Sequence, residues 1–382
     1  MRWLFCWTNL EVIRFEFSRS TFPFEMQFLL TSHVLLAVMK KLVQVIFLCM
    51  GTIGLAQTGG EHIFPFLDLG YNARANGLGR DFVSVMDDDI NIGVSNPAML
   101  NSGMHNTIGF NQALLAGGIN FGMVSYGRHF EGVGTGSAHI RYVAYGEMDR
   151  TDVNGEVMGT FSAGDFILGA GFGRQLNPRI SVGANLNFIF SQLESFNSFG
   201  VGLDLAGTYR NENERTTVTA MIRNAGYQLT TYTSDDRAPL PTQALMAVSH
   251  KLEHAPFRVS LVAHHLNKWD LTYNDPNLQP TTDPLTGEEI PVPVAGFGEK
   301  LARHFIVQLE LVVGKTLHVR MAFDYQRRRE MIVQQRPGMG GFSFGTGLYF
   351  KRFSLDYGLL IFSSAGYNNM LTLTTNLDKW KK

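Results

Sequence analysis

The sequence predicts an all-β protein, an antiparallel transmembrane β-barrel of fourteen strands. Three observations predict it. Apolar and polar residues alternate with period 2 over stretches longer than ordinary soluble strands. The connections between these stretches are short at one end and long at the other. An export-type segment precedes them all.

The export segment comes first in the chain. Met39-Lys40-Lys41 is a short positive region, and Leu42 to Leu55 is apolar. Gly54-Leu55-Ala56 puts small residues at −3 and −1 of a signal-peptidase site, so Gln57 becomes the mature N-terminus. The apolar run is too short for a spanning helix, which needs ~20 residues. Residues 39–56 therefore read as a signal peptide. Residues 1–38 read as an upstream extension from a start codon assigned too early, with a real extension as the alternative.

Composition narrows the function. Of 382 residues, 17% are charged, 45% hydrophobic and 12% aromatic, with 40 Gly and 29 Phe. The charged share is well below the ~25% of soluble domains. A net charge of −1 provides no basic field for nucleic acid. The two cysteines, Cys6 and Cys49, both precede the cleavage site, so the mature chain has no thiol chemistry and no disulfide.

Residues 57–104 differ from the rest of the mature chain. Ala73-Arg74-Ala75-Asn76-Gly77-Leu78-Gly79 and the run from Asp87-Asp88-Asp89 to Leu100 read as short helical turns and loops. This segment is expected to fold into the barrel as a plug, with Asn96 and Pro97 as its motif residues.

The barrel is expected over residues 105–382. Period 2 is clear at Ile180, Val182, Ala184, Leu186, Phe188 and Phe190, which alternate with Ser181, Gly183, Asn185 and Asn187. It recurs at Leu317, Val319, Met321, Phe323 and Tyr325, and at Phe305, Val307, Leu309, Leu311 and Val313. This reading places strands near 105–113, 119–130, 135–146, 161–175, 179–192, 197–210, 214–225, 241–252, 256–267, 301–313, 316–328, 339–350, 353–363 and 369–378. Many match the ~9–11 residues of a tilted membrane strand. Asn177-Pro178, His254-Ala255, Gly314-Lys315 and Lys351-Arg352 are turn chemistry after even-numbered strands. Residues 147–160, 226–240 and 268–300 are long connections after odd-numbered ones. Short periplasmic turns and longer external loops are the pattern of an outer-membrane barrel. The even strand count places both termini in the periplasm. A soluble β-sandwich would explain the alternation alone.

One strand face is aliphatic and aromatic, suited to lipid. The other is Gly, Ser, Asn and Thr with some charge, suited to a lumen. Arg320, Asp324 and Arg328 are expected on this inward face as an internal salt-bridge set, with a substrate path as the alternative.

Several motifs suggest chemistry and fail on context. Gly341-Phe342-Ser343-Phe344-Gly345 matches a nucleophile elbow, but that motif needs a strand-to-helix turn. Gly169, Gly171 and Gly173 resemble a dinucleotide loop without the helix. His264 and His265, on a strand, would face opposite ways and share no metal. Asp87, Asp88 and Asp89 could bind calcium, but an acidic run at a helix start is the commoner meaning. No catalytic constellation, metal site or cofactor is expected, and the chain reads as non-enzymatic. Loop 268–300 carries Trp269, Tyr273, Asp275 and Pro276, either as a contact surface for a partner or as packing over the barrel mouth.

The residues also carry a family resemblance. Gln57-Thr58-Gly59-Gly60, Ala73-Arg74-Ala75 and Ser95-Asn96-Pro97-Ala98-Met99-Leu100 resemble the opening of the PorQ family of the type IX secretion system of Bacteroidetes. His254-Ala255-Pro256-Phe257-Arg258 and the run from His264 to Tyr273 resemble it further, across nearly all of 57–378. The Asn96-Pro97-Ala98 element is shared with the wider FadL-like barrels. The resemblance implies a FadL-like barrel with fourteen strands and an N-terminal plug. It implies a scaffold in the outer-membrane attachment complex that anchors a PorZ-like surface protein beside the PorU sortase and PorV. The alternative is a FadL-like channel for hydrophobic small molecules. The end of the chain, Leu377-Asp378-Lys379-Trp380-Lys381-Lys382, departs from barrels that finish on an aromatic residue.

Overall fold

The computed structural model describes residues 62–115, 118–233, 237–272, 280–282, 289–290, 294–331, 338–363 and 366–380. The expected extension 1–38 and signal peptide 39–56 lie outside them, as do residues 57–61 of the expected plug segment.

Among the described residues, fourteen antiparallel strands close into one barrel. They are β1 (Thr107–Leu114), β2 (Asn120–Phe130), β3 (Gly134–Thr151), β4 (Val157–Asn177), β5 (Ile180–Leu193), β6 (Phe196–Arg210) and β7 (Thr216–Thr230). They continue as β8 (Gln243–Lys251), β9 (Phe257–Ala263), β10 (Phe305–Val313), β11 (Leu317–Asp324), β12 (Phe342–Tyr349), β13 (Phe353–Ser363) and β14 (Gly366–Asn376). Each strand pairs with its sequence neighbour, and β1 closes the ring on β14 from Thr107↔Asn376 to Leu114↔Asn369. Closure leaves no edge with unpaired N–H and C=O groups, which is the condition for crossing lipid with strands.

The alternation sets the two faces. Phe110, Val124, Ile140, Leu168, Phe188, Leu261 and Val307 point outward and are exposed, Phe166 by 55%. An apolar belt of this kind would be unstable in water and is the lipid-facing wall of a membrane-spanning barrel. Inward positions are buried, because the lumen is filled by residues 62–106.

That filling segment holds two short helices, α1 (Ala73–Gly77) and α2 (Ile90–Ser95), with 3-10 turns at Pro65–Asp68, Pro97–Met99 and Ser102–Met104. Four of the five starts are capped by an Asx side chain. Asn72 accepts from the Ala75 N–H at 2.7 Å, Asp89 from Asn91 at 3.0 Å, Asn96 from Ala98 at 3.0 Å and Asn101 from Gly103 at 2.8 Å. Helices this short gain little from propensity, so caps and wall contacts define them. Asp89, from the acidic run, is thus a helix cap.

Wall glycines make room for the segment. A Cβ on Gly77 would lie 2.9 Å from the Gly345 Cα, so α1 rests directly on β12. A side chain on Gly173 or Gly183 would collide with the Pro97 carbonyl, which sits in this slot against β4 and β5. In the row of glycines from 169 to 173, Gly173 is thus a recess for plug backbone, while Gly169 and Gly171 make room for the His139, Asn187, Asn185 and Ser137 side chains.

Several boundaries differ from the sequence reading. The long connection expected at 147–160 is mostly strand, because β3 and β4 run on to a tight turn over 152–156. There Asp152 accepts from the N–H groups of Asn154 and Glu156, both at 2.9 Å. Conversely, the strand expected at 256–267 stops at Ala263, since His265 takes a left-handed φ of 53°. The strand expected at 316–328 stops at Asp324, whose carboxylate caps helix α4 (Tyr325–Glu330) by accepting from the Arg327 N–H at 3.1 Å. Arg328 is therefore on a helix and not on the inward face. Helix α3 (Phe297–Ala302) occupies the start of the strand expected at 301–313.

The two rims differ. The chain termini of the barrel and the turns after even-numbered strands lie at one end, here the terminus end. The connections 231–242, 264–304 and 325–341 lie at the other, the loop end.

Candidate functional site

The lumen has three chemically distinct parts. The first is an ionic anchor towards the terminus end. Glu310 on β10 stands directly opposite Arg320 on β11 and Arg258 on β9. Opposite charges across a ladder attract. Arg74 from α1 completes the set, with Nε and Nη2 each 3.2 Å from a Glu310 oxygen. Arg320 donates to Glu310 at 2.9 Å, to Asp356 at 2.6 Å and to the Tyr349 hydroxyl at 2.7 Å. Arg74 also reaches Asp87 at 2.6 Å. One carboxylate thus ties three guanidinium groups, one of them from the plug. Burial pushes the neighbouring Asp89 carboxyl up to about 6; Arg74 opposes this and Asp87 adds to it.

The second part is an apolar arc. Phe121, Met123, Val143, Ile167 and Ile189 point inward from β2 to β5 and meet Phe64, Phe66, Leu67 and Tyr71 of the plug. Tyr71 packs edge-on against Phe121, centroids 5.6 Å apart. The terminus-end positions of the same strands are Ser125, Ser137, His139, Asn185 and Asn187, all buried. Inward polarity along β4 and β5 therefore runs from polar through the apolar arc to a second buried polar pair, Asp165 and Ser191, nearer the loop end.

The third part is a charged mouth at the loop end. Asp81 is shared by Arg223 at 2.5 Å and Arg80 at 3.2 Å. Burial opposes its ionisation, but the two guanidinium groups outweigh this and hold its carboxyl well below the usual range. Beside it, His264 and His265 meet Nδ1 to Nδ1 at 2.6 Å. The sequence reading had these rings on opposite faces. The left-handed turn at His265 instead brings them together. Burial pushes His264 down to about 3 and His265 down to about 2, so both rings are neutral at ordinary pH. Among the described residues, no cluster of three or more His, Cys, Asp or Glu is set to hold a metal ion.

The expected site residues do not form one cluster. Asn96 donates to the Val83 carbonyl at 2.7 Å, and Ser181 of β5 donates to the Ala98 carbonyl at 2.7 Å, so the Asn96–Pro97 motif is pinned to the wall. Trp269 stacks on His304, centroids 5.7 Å apart, and packs on Phe297 at 5.3 Å. Tyr273, Asp275 and Pro276 lie outside the described residues. Ser343 is the second residue of β12, buried, and is followed by strand, so the strand-to-helix turn that a nucleophile elbow needs is absent there. Arg320 and Asp324 share the inward face but not a bond. Arg320 belongs to the Glu310 anchor, and Asp324 lies 3.9 Å from Arg327. The sequence reading missed Glu310, Arg258 and Arg74. Its usable signal was a charged inward position on each of three consecutive strands.

Fourteen strands around an N-terminal plug is the arrangement implied by the FadL-like resemblance. No family model and no curated protein matches the chain. Solved structures similar to it include the toluene transporter TbuX of Ralstonia pickettii, at 11% identity and TM-score 0.48, covering 82% of this chain and 100% of that one. The toluene transporter TodX of Pseudomonas putida is similar at 12% identity and TM-score 0.47, covering 80% and 97%. A Pseudomonas aeruginosa FadL homologue is similar at 11% identity and TM-score 0.44, covering 80% and 98%. These findings correct the expected role. The structures similar to the chain are transporters and a FadL homologue, not parts of a type IX attachment complex. The scaffold function, the PorQ assignment and the PorZ-like, PorU and PorV partners are therefore withdrawn.

Proposed function

We propose that the chain is a channel for small apolar molecules in the outer membrane of a Gram-negative bacterium. The loop end faces the surface and the terminus end faces the periplasm. The orientation rests on connection length, since outer-membrane barrels keep their turns short on the periplasmic side.

The apolar arc carries this reading. A barrel lumen ordinarily presents polar side chains to water. Here Phe121, Met123, Val143, Ile167 and Ile189 form an apolar band on its wall and pack on aromatic plug residues. An apolar solute that displaces a plug ring meets equivalent surface, and each Å² kept from water contributes about 25 cal/mol. The plug side of this contact is centred on the short Pro65–Asp68 turn, which has no side-chain cap, so it can part from the wall over a few residues without unfolding the barrel.

The test is uptake of toluene by cells that lack the chain and cells that express it. Expression is expected to speed uptake, and Phe121→Arg to abolish most of the gain while the barrel still assembles. Equal uptake with and without the chain would overturn the proposal.

A further inference from the structure

A cavity of about 280 Å³ opens at the charged mouth, on the side of the lumen away from the apolar arc. Its volume is near the lower end for small-molecule sites, ~300–1,000 Å³. His62 and Glu330 at its rim are exposed, whereas His264 and Arg327 in its lining are buried.

We propose that this cavity binds the carboxylate of a small organic acid, with Arg327 as the group that recognises it. The guanidinium of Arg327 is short of a partner. Its one carboxylate among the described residues is Asp324, at 3.9 Å, the outer limit of an ion pair. Its Nη1 is buried with no hydrogen bond, although guanidinium offers five donors in a planar fork that suits a carboxylate. The guanidinium carbon lies over the Phe362 ring, 5.2 Å from its centroid. Burial lowers its basicity, which is the signature of a cation lacking compensation. His264, also in the lining, leaves Nε2 buried and unbonded.

Charge selects the class of ligand. Arg327 lines the cavity beside Asp324 and Glu330, while Arg80 there is already paired with Asp81 at 3.2 Å. His264 and His265 are neutral. A planar monoanionic carboxylate matches the guanidinium fork, whereas a dianion such as hydrogen phosphate would set more negative charge beside Asp324 and Glu330. An uncompensated buried charge is costly, so pairing it supplies binding energy. This site does not depend on the apolar arc or on the channel reading.

The experiment is calorimetric titration of the full barrel, purified in detergent micelles, with benzoate and separately with inorganic phosphate. Benzoate is expected to bind at one equivalent. Arg327→Gln is expected to weaken it tenfold or more, and Arg327→Lys to restore part of the loss. Folding of each variant is read from heat-modifiable gel mobility. Should Arg327→Gln fail to fold, the exposed rim variant Glu330→Gln is expected to tighten benzoate a few-fold by removing a competing carboxylate. No benzoate binding to the unaltered barrel, binding that Arg327→Gln leaves unchanged, a Glu330→Gln variant no tighter than the original, or phosphate binding with benzoate silent would each overturn the assignment.

Discussion

The plug is held by two unlike surfaces of one lumen. Against β2 to β5 it is held by the apolar arc, where Phe64, Phe66 and Tyr71 lie on Phe121, Ile167 and Ile189. Against β9 to β13 it is held by charge, where Arg74 enters the ring of Glu310, Arg258, Arg320 and Asp356. The apolar contact is non-directional and degrades gradually, so it tolerates sliding. The ionic contact is directional and all-or-none, since removing one member strands the others in a dry site. The first surface is suited to yield to a solute, and the second to keep the plug in register while it does.

Glu310→Ala should have the largest effect. It leaves the buried guanidinium groups of Arg74 and Arg320, and the half-buried one of Arg258, without their shared carboxylate, a loss of about 3–5 kcal/mol. The expected outcome is a lower unfolding temperature in detergent and larger ion conductance in planar bilayers. An unaltered conductance would show that the apolar arc holds the plug alone.

Gly183→Leu acts on neither surface but on the slot that seats Pro97. Overpacking of this kind costs about 1–3 kcal/mol. Protease cleavage between Val83 and Met104 should become faster while the barrel core stays resistant. Equal cleavage would mean that the slot is not a seat.

Ile189→Val should be the mildest, about 0.5–1.5 kcal/mol. It trims the apolar arc by one methylene group. The expected change is a small drop in thermal stability with conductance unaltered. A conductance rise as large as that of Glu310→Ala would erase the distinction between the two surfaces.

The strands were legible because each side chain faces either lipid or lumen, and alternation records that choice. Ile180 to Phe190 shows it without ambiguity. Strand ends were less legible where alternation continues past the last paired residue. Tyr325 and Arg328 extend the pattern of β11, yet Asp324 finds a better use for its carboxylate as the cap of α4. His265 similarly turns the chain out of β9 with a backbone conformation that leaves no mark in the residue type. The plug was legible as a change of pattern, and its Asn and Asp caps as turn formers. The Glu310 ring was not. It joins chain positions 74, 258, 310, 320 and 356, and only the closed barrel brings these together.

The Ala73 N–H donates to Thr372 Oγ1 at 2.8 Å, across 299 positions of chain, and Asn91 Nδ2 donates to Thr374 Oγ1 at 3.0 Å. The segment synthesised before every strand thus bonds to the strand synthesised last. These bonds cannot form until β14 exists, and β14 cannot close on β1 around an empty lumen without later admitting α1. These plug contacts therefore wait on the last strand, with the loop-closure entropy of almost the whole chain to be met when they form.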